Sequence, residues 1–175
     1  MRPNAAPVVA VAAALCAAAT STVAAQTPAP PPNCDGAAYR QLDFWVGDWT
    51  VFNTADGAEY ATSRIERFPG NCGVRETYES PKAPGGPYVG TSYSSVDFRD
   101  GRWHQMYVDN RGGFTWYTGG MEGADMVLIA AARGGAIQKM VYSPQADGSV
   151  KQIGTVSTDG GKSWAAGYDY TYRRR

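Results

Sequence analysis

The sequence predicts an all-β chain: an antiparallel up-and-down barrel of about ten strands behind a short N-terminal helix. Two observations predict it. Nine turn signals divide the chain from Gly47 onward into ten segments, spaced near the roughly 8–12 residues per strand of β-barrels and sandwiches. Period-two alternation then marks several of those segments as half-buried strands. Ten antiparallel strands in sequence leave two raw edges unless the sheet closes, so a barrel is the expected arrangement and a sandwich the alternative.

The chain opens with a targeting signature. Met1-Arg2-Pro3-Asn4 is a short positive region, Ala5 to Ala19 is apolar, and Val23-Ala24-Ala25 places small residues before a cut at Gln26. This pattern reads as a secretory signal peptide over residues 1–25, too short and weakly flanked for a transmembrane helix. Leu15 before Cys16 is too large for a lipoprotein cut, so no lipid anchor is expected. Residues 26–36 form a Pro-rich leader carrying Pro28, Pro30, Pro31 and Pro32, an extended tether in composition. The barrel domain then occupies residues 37–175, with its helical candidate at Ala37–Phe44.

Export to the periplasm or the extracellular medium is an oxidising fate, and two cysteines survive signal cleavage, Cys34 and Cys72. They are expected to form one disulfide. A metal or redox pair is the weaker reading, because no C-x-x-C and no adjacent histidine accompanies them. The 175-residue chain carries 16 Lys+Arg against 16 Asp+Glu. That balance argues against nucleic acid, or a membrane after signal cleavage, as the main partner.

The turns are Ala55-Asp56-Gly57, Pro69-Gly70-Asn71, Ser80–Pro87, Arg99-Asp100-Gly101, Asn110–Gly113, Gly119–Gly123, Arg133-Gly134-Gly135, Pro144–Gly148 and Asp159-Gly160-Gly161. Gly and Asp supply the backbone conformations that tight hairpins need. In the last strand Trp164, Ala166, Tyr168, Tyr170 and Tyr172 recur at period two. Another strand sets Trp103, Gln105, Tyr107 and Asp109 on one face and His104, Met106 and Val108 on the other. A barrel of this width leaves interior space that side chains need not fill. Ser80–Pro87, the longest irregular stretch, is either a flap at the open end or a passive connector.

Phe44-Trp45-Val46-Gly47-Asp48-Trp49 carries a family signal. Gly-x-Trp at the start of the first strand resembles the lipocalin and fatty-acid-binding-protein superfamily. More closely, the chain is similar to uncharacterised exported bacterial proteins with a lipocalin-like (calycin-type) barrel domain of unknown function. The matching stretches are Leu42–Trp49, Arg64-Ile65-Glu66, Gly70-Asn71-Cys72, Trp103-His104-Gln105, Val108-Asp109 and Val156–Trp164. The resemblance implies that Trp49 plugs the closed end of a barrel. It also implies that an arginine beyond the last strand, Arg173, Arg174 or Arg175, covers that ring. It implies a fold and export, and it supplies no established activity.

Ser157-Thr158-Asp159-Gly160-Gly161-Lys162-Ser163-Trp164 matches the Asp-box pattern of sialidase-type propellers, but it occurs once where a propeller needs repeats. It reads as a hairpin turn. His104 is the only histidine; on a face with Met106 and Val108 it reads as a strand residue in preference to a haem or zinc ligand. Neither a metal nor a cofactor is expected, and G-x-S-x-G is absent.

The strands carry the candidate binding residues. Arg64 and Glu66 share one face of the second strand, Glu76 and Tyr78 one face of the third. With Trp49, Gln105, Asp109, Trp116, Tyr168 and Tyr170 also facing inward, the cavity would be polar and aromatic. That lining suits a small amphipathic or aromatic ligand held by stacking and a few hydrogen bonds. Arg64, Glu66, Glu76 and Tyr78 could alternatively serve cofactor-free acid/base chemistry of the decarboxylase or isomerase type. Two other readings stand beside these: structural ion pairs on an outer face, and an interaction module with a filled core. A one-residue register error exchanges inside for outside.

Overall fold

The computed structural model describes residues 34–131 and 133–175. The expected signal peptide, and the part of the Pro-rich leader before Cys34, lie outside the described residues. The ten strands are β1 (Gly47–Asn53), β2 (Glu59–Arg67), β3 (Gly73–Ser80), β4 (Tyr88–Asp97), β5 (Arg102–Asp109), β6 (Phe114–Glu122), β7 (Asp125–Ala131), β8 (Ile137–Pro144), β9 (Val150–Ser157) and β10 (Ala165–Arg174). Each pairs antiparallel with its neighbour in sequence, and β1 pairs with β10 to close the barrel. The closing register sets Trp49 across from Arg174 and Asn53 across from Tyr170. No sheet edge is left, which sets the sandwich aside.

The short N-terminal helix is present as two 3-10 turns, Ala37–Arg40 and Asp43–Trp45. The N–H of Trp45 bonds the carbonyl of Leu42 three residues back. In a 3-10 turn, residues three apart eclipse, so Leu42 and Trp45 point the same way, and both are fully buried. They close one end of the barrel. The Trp45 ring lies 4.6 Å from Tyr142 and 6.4 Å from Tyr172, centroid to centroid, and its carbonyl accepts the Trp49 Nε1 proton at 2.8 Å.

Arg174 lies over the Trp49 ring at 4.5 Å and donates to the Val46 carbonyl at 3.2 Å. It is the covering arginine that the resemblance implied. Gly47 makes this approach possible: at φ 144, a Cβ there would sit 2.5 Å from Arg174 Nη1. Above this plug the lower barrel is filled by Trp49, Ile65, Val74, Trp103, Met126, Leu128 and Val150.

The connections follow the turn chemistry. Asp159 organises the β9–β10 hairpin: its Oδ1 accepts the N–H groups of Lys162 and Ser163, both at 2.9 Å, and the Ser157 hydroxyl at 2.8 Å. The Asp-box-like stretch is therefore a folded turn. Cys34 and Cys72 are joined in a disulfide. Arg40 Nη2 reinforces the junction by donating to the carbonyls of Cys34 (2.8 Å) and Asn71 (2.7 Å). The bridge spans 38 residues, and a closed loop of that length stabilises by about 4 kcal/mol in the chain-entropy account. The double substitution C34S/C72S should lower unfolding stability by roughly that amount in a denaturant titration. An unchanged midpoint would contradict this role for the bridge.

Candidate functional site: a tyrosine-walled cavity around one carboxylate

The upper half of the barrel is hollow. A cavity of about 320 Å³ opens there, with seventeen lining residues, nine of them tyrosines. Its size sits at the low end of small-molecule pockets, which run from roughly 300 to 1,000 Å³. The rings lie against the wall because glycines on neighbouring strands make room for them. Tyr168 sits directly opposite Gly154, and Tyr107 packs over Gly90; a Cβ at either glycine would run into the phenol. Tyr60, Tyr170 and Tyr168 form a continuous stack, with centroid separations of 5.0 and 5.1 Å.

Glu76 is the chemical centre. On β3 the inward positions are Val74, Glu76, Tyr78 and Ser80, so alternation alone directs its carboxylate inside. It is 3 % exposed. Ser63 of β2 donates to Oε1 at 2.8 Å and Ser92 of β4 donates to Oε2 at 3.3 Å. Among the described residues no cation pairs with it. Burial therefore dominates over the two serine bonds and pushes its pKa up to about 7.

The remaining polar groups largely satisfy one another. Tyr172 donates to Gln152 Oε1 at 2.7 Å, and Gln105 Nε2 donates to Ser94 Oγ at 3.0 Å. Tyr117 donates to Gln138 Oε1 at 2.9 Å. The Tyr88 and Tyr107 hydroxyls are 2.9 Å apart, and Tyr88 also donates to Asp109 Oδ2 at 3.2 Å. Burial raises the phenols of Tyr78, Tyr107, Tyr117, Tyr142, Tyr168, Tyr170 and Tyr172, and Tyr88 to about 12, so these rings stay protonated at neutral pH. Burial also works against the Asp109 carboxylate, but the N–H groups of Gly113 and Arg111 outweigh it and hold Asp109 below its ordinary value.

The mouth is built by Arg111. Its Nη2 donates to the carbonyls of Pro84 and Gly86, both at 2.8 Å, and its guanidinium lies 5.2 Å from the Tyr88 ring centroid. The connection between β3 and β4 is thereby tied to the β5–β6 turn, and buried Ala83 becomes part of the lining. Ser80–Pro87 is thus an anchored rim.

Glu76, Tyr78, Gln105, Asp109, Tyr168 and Tyr170 are brought together in this cavity. Trp49 points inward but belongs to the packed floor. The inward placement of Arg64 and Glu66 is corrected. The interior positions of β2 are Ala61, Ser63 and Ile65, which turns the intervening residues outward. There Arg64 pairs with Asp48 (3.6 Å) and Glu66 (3.1 Å), and Glu66 with Arg75 (2.6 Å). Trp116 is likewise on the outer face, 53 % exposed, because Thr115 and Tyr117 take the inner positions of β6. Its Nε1 donates to His104 Nδ1 at 3.2 Å, while His104 Nε2 meets Asp100 Oδ2 at 2.9 Å. His104 thus lies outside the cavity. Asp97, the third member of that surface cluster, is bound by the Arg99 guanidinium.

Sequence reasoning missed Tyr60, Tyr88, Tyr107, Tyr117, Tyr142, Gln152 and Tyr172 as lining residues. Tyr107 and Tyr172 shared a period-two face with residues already chosen, and that signal could have found them. Tyr60 could not be found this way: a register shift where β1 passes from Val51 to Phe52 turns it inward beside Ala61.

A carboxyl whose folded pKa exceeds its unfolded value of 4.5 makes the native state the better proton binder. Its stabilisation is complete below pH 4.5 and is lost as pH rises toward 7. The shift corresponds to a swing on the order of 3 kcal/mol. Glu76→Gln should therefore match the native protein near pH 4 and exceed its stability by a few kcal/mol near pH 8, read from denaturant midpoints. A stability difference that does not vary with pH would contradict the uncompensated carboxylate.

A scan against protein-family models gave no match for this chain, and a search of curated proteins gave none either. The functional reading therefore rests on the chemistry of the cavity itself.

Proposed function

We propose that this protein binds a small amphipathic or aromatic molecule inside the barrel. One observation carries the reading: the upper interior is a cavity walled by tyrosines and a buried glutamate where a structural core would be filled with aliphatic side chains. Nine phenol rings supply flat contact area, and Glu76, Gln105 and Tyr78 supply the few polar contacts that orient a ligand. The hollow also argues against an interaction module with a filled core. The floor, in which Gly47 admits Arg174 over Trp49, supports the lipocalin-like assignment. The Cys34–Cys72 bridge supports export to an oxidising compartment, in keeping with a signal peptide over residues 1–25. The binding reading needs neither a cofactor nor a nucleic-acid partner.

A second reading, cofactor-free proton transfer, is favoured by Glu76 alone. A carboxyl with a pKa near 7 is suited to move protons at neutral pH. It ranks second because the arginine expected to join the cluster, Arg64, lies on the outer surface.

Binding raises thermal stability by mass action. The disulfide-bonded protein, purified without refolding, should yield a co-purified small molecule in native mass spectrometry. It should also show a raised melting temperature with members of a lipid, phenolic and aromatic-amine library. Thr115→Trp, which places an indole in the lining, should abolish both signals. An empty native protein and a flat screen would overturn the proposal.

A further inference from the structure

We propose that the cavity takes its ligand as an organic monocation, a primary or secondary ammonium on a compact apolar or aromatic frame, with the ammonium seated against Glu76. The inference rests on the small-molecule reading above and adds the charge class of the ligand. It comes from the distribution of charge around the cavity.

Formal charge among the lining residues is confined to Glu76, Asp109 and Arg111. Asp109 and Arg111 belong to the rim and to one turn, where the Asp109 carboxylate accepts the Arg111 backbone N–H at 2.8 Å. The arginine head is already committed to two carbonyls and a ring face. Deeper in, Glu76 stands alone. Each of its oxygens accepts one serine hydroxyl, whereas a carboxylate oxygen has room for two donors. A buried charge left unpaired is costly, and an ammonium delivered by a ligand would pair it.

The walls favour the same sign. The faces of phenol rings attract cations, the more so when water is excluded. Burial is the main reason that Tyr78, Tyr88, Tyr107, Tyr142, Tyr168 and Tyr172 are raised, and the field of Glu76 adds to the shift of each. The strongest donors are spent internally, Tyr172 on Gln152 and Tyr88 on Asp109. A carboxylate ligand entering this space would find no uncommitted guanidinium and would face Glu76. Fatty-acid-like anions are therefore the wrong class for this barrel.

The affinity should follow one titration. Burial raises the phenols of Tyr78, Tyr88, Tyr107, Tyr142, Tyr168 and Tyr172 around Glu76, and backbone N–H groups hold Asp109 below its ordinary value, so Glu76 is the group in the cavity whose charge changes between pH 6 and 8.

The test is isothermal titration calorimetry of the disulfide-bonded protein with three isosteric probes: phenethylamine, 2-phenylethanol and phenylacetate. At pH 8 the amine should bind about tenfold or more tighter than the alcohol, as expected for a hydrogen bond to a charged group. The acid should not bind. Lowering the pH to 6 should weaken the amine roughly tenfold and leave the alcohol unchanged. In Glu76→Gln the amine should fall to the level of the alcohol and lose its pH dependence. Alcohol or acid binding as tightly as the amine overturns the cation assignment and leaves cavity binding standing. So does an amine preference that survives in Glu76→Gln, or native-protein affinity that is flat from pH 6 to 8. Silence from all three probes overturns both readings.

Discussion

The hydrogen-bonded seam between β1 and β10 is the constraint on which the rest of the structure depends. It removes both sheet edges at once and sets the circumference, so it determines whether there is an inside at all. It also chooses what the inside contains. With Val51 opposite Tyr172 and Asn53 opposite Tyr170, the tyrosines of β10 face the interior. A slip of one residue would send them to solvent and bring Asp169 and Thr171 inward. The same seam brings Arg174 over Trp49 and so locks the floor to the last strand.

Closure divides the interior into a packed half and a hollow half. Below, Trp45, Trp49, Trp103 and the aliphatic residues form one buried cluster. Above, glycines replace side chains so that phenols can lie flat, and the centre is left open. Burying Glu76 there without a counter-charge opposes folding at neutral pH. A protein that needed only a stable barrel would gain by placing an apolar residue at that position. At the middle of a hollow ringed by phenol faces, that carboxylate is the group the proposed ammonium guest would pair with.

Much of the fold was legible because its determinants are local. The nine turns are written in Gly, Asp, Asn and Pro, and the alternation of Trp103, Gln105, Tyr107 and Asp109 survives intact as the inner face of β5. Six of the ten candidate ligand residues line the cavity for the same reason. Arg64, Glu66 and Trp116 were misplaced because period two identifies a face without saying which side it occupies. On β2 the inner set is Ala61, Ser63 and Ile65, less conspicuous than the charged residues between them. Tyr60 was hidden by an irregularity that only pairing with β1 reveals. The isolation of Glu76 was equally hidden, since the lack of a cation is a property of five or six strands together and of no single segment.

The Glu76 carboxylate sits without a counter-charge in a tyrosine-walled hollow. The most direct measurement is the titration of the Glu76 side-chain carboxyl carbon by NMR in the folded, ligand-free protein. A midpoint near 7, well above the other carboxyls, is the result this account predicts. A midpoint in the ordinary glutamate range, about 4.3, would mean that the group is solvated or paired, and the account would fall with it.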